Sequence, residues 1–233
     1  MRHAAEHDEV VAALRAIGNP RRGEAVRLDR GSQLEHLGIG FPALRARVKQ
    51  GFSFSRRPFE DQLPIWHALW QQSAVGDVLF AALAFLEPAV RKQLPPTLWP
   101  LLVQWPARVD NWCHADMLAN VNSFVLQAQP AEVLPQLLAW SQRPGAEWQR
   151  RIALASLIHY SGRNAVFLPP AQMLPVLAAA VGDARPSVQL ALGWVLREID
   201  RQHPAVVDAF LAEHAGRIGA AARRRALEKR AKP

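Results

Sequence analysis

The sequence predicts an all-α protein, a solenoid built from paired helices, and three observations carry that expectation. Strand signals are nearly absent: there is one Tyr, little Thr or Ile, and no sustained alternation of apolar and polar residues. Apolar residues recur instead at helical spacing, in segments of about 12 to 18 residues divided by Pro, Gly and Asp. A weak internal repeat links several of these segments.

In chain order the helical candidates begin with HDEVVAALRAI, FPALRARVKQ, FEDQLPIWHALWQQ, GDVLFAALAFLEPAVRKQ and TLWPLLVQW. They continue with NWCHADMLANVNSFVLQ, AEVLPQLLAWSQ, AEWQRRIALASLIHYSG, PAQMLPVLAAAVGD, RPSVQLALGWVLREIDRQ and PAVVDAFLAEHAGRI. Ala82-Leu83-Ala84, Ala153-Leu154-Ala155 and Ala191-Leu192-Gly193 fall at equivalent places in three of them, with spacings of 71 and 38 residues. Those spacings are two units and one unit of a repeat about 36 to 38 residues long, and NWCHADMLANVNSF supplies the helix between the first two. The partner helix of each unit has a form such as LWPLLVQW, VLPQLLAW or MLPVLAAA. A two-helix unit of that length is expected of a HEAT-like α-solenoid, the alternative being a generic helical bundle. No linker rich in Gly, Ser or charge divides the chain, so residues 1–233 read as a single curved HEAT-like repeat domain with a concave surface, ending in a basic helix or tail over 215–233.

Composition narrows the setting. Half of the 233 residues are hydrophobic and 21% are charged, as in a folded globular protein able to bury a sizeable core. Cys113 is the only cysteine, which excludes an internal disulfide and fits a reducing cytoplasm. The segment MRHAAEHDEVVAALRAIG has no unbroken apolar core and is not expected to act as a signal peptide. The run LFAALAFL (79–86) is far short of the roughly 20 residues of a membrane span, so no membrane partner is expected. The net charge of +8 suggests a polyanionic partner. Arg217, Arg223, Arg224, Arg225, Lys229, Arg230 and Lys232 face a single acid, Glu228, after Ala215. That tail reads either as a solvated helix whose cations suit its dipole or as a phosphate-contacting arm.

The densest cluster of chemically capable residues is NWCHADMLANVNSF, from Asn111 to Phe124. At about 100° per residue, Met117, Leu118, Val121, Phe124 and Val125 gather into a core stripe. Trp112, Asp116, Asn120, Ser123 and Gln127 gather on the opposite side, with Trp112 and Asp116 one turn apart. Cys113, His114 and Asp116 point about 60 to 160° apart, so they cannot converge on one metal ion from a regular helix. Cys113 has no base at helical spacing to activate it, and a lone cysteine is usually a small buried hydrophobe. In RPSVQLALGWVLREIDRQ the core stripe is Val188, Leu192, Val195, Leu196 and Ile199, while Trp194 falls on the other side near Leu190, Ala191, Arg197 and Glu198. Each off-stripe Trp either packs on an adjacent repeat or lines a groove.

These residues carry a resemblance. NWCHADMLANVNSF, EWQRRIALASLI and PSVQLALGWVLREIDRQHPAVVDAFL, with the weaker GNPRRGEAVRLDRGSQLEHLGIGFPALR, resemble the AlkD-type alkylpurine DNA glycosylases, which are HEAT-like repeat proteins. An Asp four residues after a Trp, then WxxR, then GWVLRE, in that order, is specific as a set. The resemblance implies a catalytic carboxylate at Asp116, aromatic partners at Trp112 and Trp194, and DNA contact at Arg151 with Arg150 beside it. It implies a monomer acting in base excision repair on cationic N3- or N7-alkylated purines in double-stranded DNA, without metal or other cofactor and without the base flipping usual in DNA repair. Asp29 stands where the best-known member has an aromatic, and Asn111 and Cys113 replace a Trp and an Asp beside Trp112.

The chemistry of the residues agrees. A purine alkylated at N3 or N7 carries a positive charge and leaves without a general acid, so one carboxylate suffices where a sugar glycosidase needs two. Asp116 would stabilise the cationic sugar and orient water, and each indole face would add about 0.5 to 2 kcal/mol. Arg151 would grip phosphate with its planar fork, the alternative being a surface ion pair. Two rivals remain at this stage: a non-catalytic HEAT-repeat DNA-binding protein and a protein-interaction scaffold.

Overall fold

The computed structural model describes residues 2–92, 97–160 and 165–230, so Lys232 of the basic tail lies outside the described residues. Among these residues the structure is all-helical, as expected, with thirteen α-helices, two short 3-10 turns and one isolated backbone bridge between Glu35 and Val75. None of the helices is long and apolar enough to cross a membrane. The contacts divide the chain into two compact units, Met1–Met117 and Leu118–Pro233, with the boundary inside a helix.

The first unit holds α1 (Ala4–Arg15), α2 (Pro20–Arg30), α3 (Phe41–Gln50), α4 (Phe59–Gln72), α5 (Gly76–Lys92), α6 (Leu98–Leu102) and the start of α7 (Trp112–Ala128). Pro20 at the first position of α2 loses no hydrogen bond there, and Asn19 caps the helix by accepting the Arg22 N–H at 3.0 Å. α5 is the central element, buried continuously from Gly76 to Ala84, with α1, α3 and α4 packed on it. Beside it Trp70 stacks on Trp105 with ring centroids 4.2 Å apart. Neither indole N–H is stranded: Trp70 donates to the Trp105 carbonyl and Trp105 donates to His67 Nδ1, both at 3.0 Å.

The second unit continues α7 and adds α8 (Pro130–Gln142), α9 (Glu147–Ala155), α10 (Pro170–Ala180), α11 (Pro186–Asp200), α12 (Pro204–Glu213) and α13 (Ala220–Ala226). The repeat is visible in its packing. α9 and α11, which carry Ala153-Leu154-Ala155 and Ala191-Leu192-Gly193, lie against each other, and α8 packs on both α9 and α10. α8 and α10 each begin with Pro and each carry a second Pro, Pro135 and Pro175, at the same internal position. Both internal prolines are exposed, where water can satisfy the carbonyls they leave unpaired.

The tail is docked. α13 runs so close to α11 that a Cβ on Gly193 would sit 2.6 Å from the Ala222 carbonyl oxygen. Arg230 donates to Asp200 at 3.0 Å and to Asp208 at 2.8 Å, and Arg197 pairs with Glu228 from α11. Arg225 also pairs with Glu228, three residues on, and Arg217, Arg223, Arg224, Arg225 and Lys229 are all exposed. Gly193→Ala is expected to lower stability by roughly 1–3 kcal/mol through overpacking, read as a lower urea midpoint. An unchanged midpoint would mean that α13 does not pack on α11 in solution.

Candidate functional site

The start of α7 is fixed by a buried polar network. Asn111, fully buried, accepts the N–H groups of Cys113 and His114 at 3.0 and 3.1 Å, which caps the helix. Its amide nitrogen donates to Asp110 Oδ1 at 2.8 Å and lies 2.7 Å from His114 Nδ1. His114 Nε2 is 3.0 Å from the Gly76 carbonyl, which can only accept. The partners therefore assign the proton to Nε2 and leave Nδ1 to accept from Asn111, a neutral imidazole with both nitrogens satisfied. The same ring packs on Phe80 at 4.0 Å between centroids.

Asp110 extends the network to the loop after α2, accepting from Ser32 Oγ and from the Gln33 N–H, each at 2.7 Å. Burial alone would raise its pKa, but the hydrogen bonds from Ser32, Gln33 and Asn111 outweigh that and hold the carboxyl well below its ordinary value. His114 is thus a structural ring, and Cys113 is buried beside it. Among the described residues no three His, Cys, Asp or Glu side chains are grouped as metal ligands.

This anchoring presents Trp112 in the first turn of α7 with 45% of its surface exposed, although it is a large aromatic. The Arg30 guanidinium lies 6.0 Å from its ring centroid and 5.3 Å from that of Phe80. Asp116 follows one turn later and is half-buried. Farther along, Leu118, Val121 and Val125 are buried as the stripe requires, with Met117 and Phe124 partly covered. Ser123, expected on the outer side, is fully buried. Its hydroxyl donates to the Asn120 carbonyl at 2.7 Å and lies 2.9 Å from His159 Nδ1. His159 stacks between Phe124 and Phe167, with centroids at 4.5 and 4.3 Å, and its Nε2 is 3.0 Å from Gln127. No periodicity within α7 could announce a lid brought in from 36 residues away.

In the second unit the core stripe of α11 is as expected, with Val188, Leu192, Val195, Leu196 and Ile199 all fully buried. Trp194 is half-buried and meets Tyr160 edge-on at 4.7 Å. Its neighbours Ala191 and Glu198, placed off the stripe by the sequence, are buried too. Arg151 is 8% exposed and donates through Nη1 to the Ser187 carbonyl at 2.6 Å, tying α9 to the first turn of α11. Arg150 donates to Asp183 at 2.8 Å and to the carbonyls of Arg143 and Gln142. Burial would raise the Asp183 carboxyl, but its bonds from Arg185 and Arg150 bring it down to about 2.

His36 lies under the same anchor, its ring against the Gly76 backbone, where a Cβ would sit 2.7 Å from Cε1. Burial first, and then the proximity of His114 and of the Arg30 guanidinium, lowers its pKa from 6.5 to about 4. Asp77 faces it at 3.9 Å. As pH falls, the unfolded chain takes up this proton before the folded one. The stability due to a neutral His36 is therefore complete above pH 6.5 and declines toward pH 4. Urea midpoints are expected to drop across that window, and His36→Gln is expected to flatten the drop; an equal slope in the variant would assign it elsewhere.

Comparison with known proteins places this geometry in context. A family model described as DNA alkylation repair enzyme matches residues 10–229. A predicted DNA alkylation repair enzyme from Enterococcus faecalis has a similar fold, with a TM-score of 0.73 and 19% identity over 93% of this chain and 98% of that one. AlkD2 from Streptococcus mutans aligns with a TM-score of 0.58 and 17% identity over 82% of this chain and 90% of its own. The smu.31 protein from Streptococcus mutans UA159 aligns with a TM-score of 0.53 and 18% identity, covering 73% and 82%. No curated protein matches the chain.

Proposed function

The chain belongs to the DNA alkylation repair enzyme family, and from that premise we propose that it is a monofunctional DNA glycosylase. Its substrates are cationic N3- and N7-alkylated purines, such as 3-methyladenine and 7-methylguanine, in double-stranded DNA. The observation that supports this most is the exposed indole of Trp112 one turn before the half-buried carboxylate of Asp116, on a helix start held by buried hydrogen bonds.

An alkylated purine already carries the charge that a general acid would otherwise supply. When the N-glycosidic bond breaks, its electron pair passes to the purine and the sugar acquires oxocarbenium character. A half-buried carboxylate stabilises that developing charge better than it would in open water and orients the water that attacks C1′. Trp112 offers its π face to the cationic sugar. Trp194 is the second aromatic that the family resemblance assigns to this role, and Arg151 with Arg150 the DNA-contacting pair. The Ser187 carbonyl fixes the orientation of the Arg151 fork, so its phosphate contact would be preorganised. In this reading the protein acts as a monomer in the cytoplasm.

Release of 7-methylguanine from methylated duplex, followed under single-turnover conditions, tests the proposal. Asp116→Asn is expected to slow release by about 10²-fold or more. Trp112→Ala is expected to slow it roughly 2- to 30-fold, the equivalent of one cation–π contact. Arg151→Ala should weaken duplex binding, with a urea melt separating that loss from a loosened α9–α11 contact. Undiminished release by Asp116→Asn, or none by the wild type, rejects the glycosylase.

A further inference from the structure

A cavity of about 60 Å³ lies in the first unit between α2, the start of α3 and the start of α5, with Arg22, Arg30, His36, Gly40, Phe41 and Asp77 in its wall. Three independent features of that wall ask for an anion. The first is the start of α3: Gly40 gives no side-chain cap, and the first turn holds no acid. Its leading N–H groups have no intrahelical acceptor and carry the positive end of the helix dipole.

The second feature makes the first more acute. The Arg22 guanidinium approaches that helix start, with Nη1 3.7 Å from where a Cβ on Gly40 would be. Arg30 stands on the same cavity, over the rings of Phe80 and Trp112. Neither guanidinium forms an ion pair among the described residues. The one acid of the wall, Asp77, turns its Oδ2 to the Leu37 N–H at 2.7 Å. Two cations at the positive end of a helix repel one another until an anion joins them.

The third feature is His36, whose side chain is 1% exposed and whose Nε2 has no hydrogen-bond partner. A buried ring nitrogen left unsatisfied costs on the order of 1–3 kcal/mol, and a bound oxygen would remove that cost. At about 10–15 Å³ per water the cavity has room for roughly four to six oxygen-sized atoms, enough for one phosphate group and too little for a purine.

We propose that this cavity binds a single phosphate group, gripped by Arg22 and Arg30 over the start of α3, with His36 Nε2 donating from the floor. Arg30 bridges the cavity and the Trp112 ring, so the phosphate it takes is a DNA backbone phosphate close to the nucleotide that Trp112 meets. That assignment of source rests on the proposed DNA-repair reading; the phosphate chemistry of the cavity does not.

Two measurements on the full chain test it. Inorganic phosphate is titrated while the backbone amide resonances of Gly40, Phe41 and Ala43 and the His36 ring are followed. Saturable shifts are expected in the wild type and their loss in Arg22→Gln, whose unchanged urea midpoint shows that it folds. Binding of undamaged duplex is then measured against salt, where one lost phosphate contact reduces the slope of log K by about 0.9. Arg22→Gln is expected to show that reduction, and Arg21→Gln, the exposed neighbour outside the cavity wall, is expected to keep the wild-type slope. Undamaged duplex keeps the outcome separate from base release, so a failed glycosylase assay does not decide it. Shifts with phosphate but an unchanged slope would assign the site to free phosphate instead of DNA. The absence of shifts, or an equal slope change in both variants, overturns the site.

Discussion

The hydrogen bond from His114 to the Gly76 carbonyl is the constraint on which the candidate site of the first unit depends. It joins the first turn of α7 to the first residue of α5, the most buried helix of that unit. Neither partner has water to fall back on, so losing the bond would leave a buried carbonyl and a buried ring nitrogen unsatisfied. The rest of the network is joined to it: Asn111 caps the helix through Oδ1 and meets His114 Nδ1 through its amide nitrogen, and Asp110 accepts from that nitrogen and from Ser32. Gly76 is a glycine for the same reason, because the His36 ring occupies the space of a side chain there.

The network also explains how an exposed Trp and a half-buried Asp keep a fixed direction. Loop-borne side chains would sample many orientations, whereas a capped helix start permits few. Cationic groups gather on the same side: Arg30 lies over Trp112, and Arg22 lies at the start of α3. In the proposed reading, that positive surface beside the Asp116 carboxylate would suit a substrate whose backbone is anionic and whose reacting centre is cationic.

Much of this was legible in the sequence, and the limits have physical reasons. Helical periodicity specified the all-α fold and the core stripe of α11, because buried aliphatic residues repeat with the helix. The same geometry kept Cys113, His114 and Asp116 from converging. Ser123 escaped that reasoning because its burial comes from His159, a partner on a different segment. The close packing of α13 on α11 escaped it as well, because only the absent Cβ of Gly193 hints at so close an approach. Charge counting likewise could not single out Arg230, the tail cation that reaches Asp200 of α11 and Asp208 of α12, because those partners lie 30 and 22 residues away in the chain.

The exposure of Trp112 has an optical consequence. The chain has eight tryptophans, of which Trp66, Trp70, Trp99, Trp105 and Trp140 are buried, and Trp148 and Trp194 are partly covered. Trp112 alone presents nearly half of its surface to solvent. Its emission lies at longer wavelength than that of the buried indoles and is the most open to a dissolved quencher. Seven indoles report whether the chain is folded, while the eighth reports whether its surface is occupied.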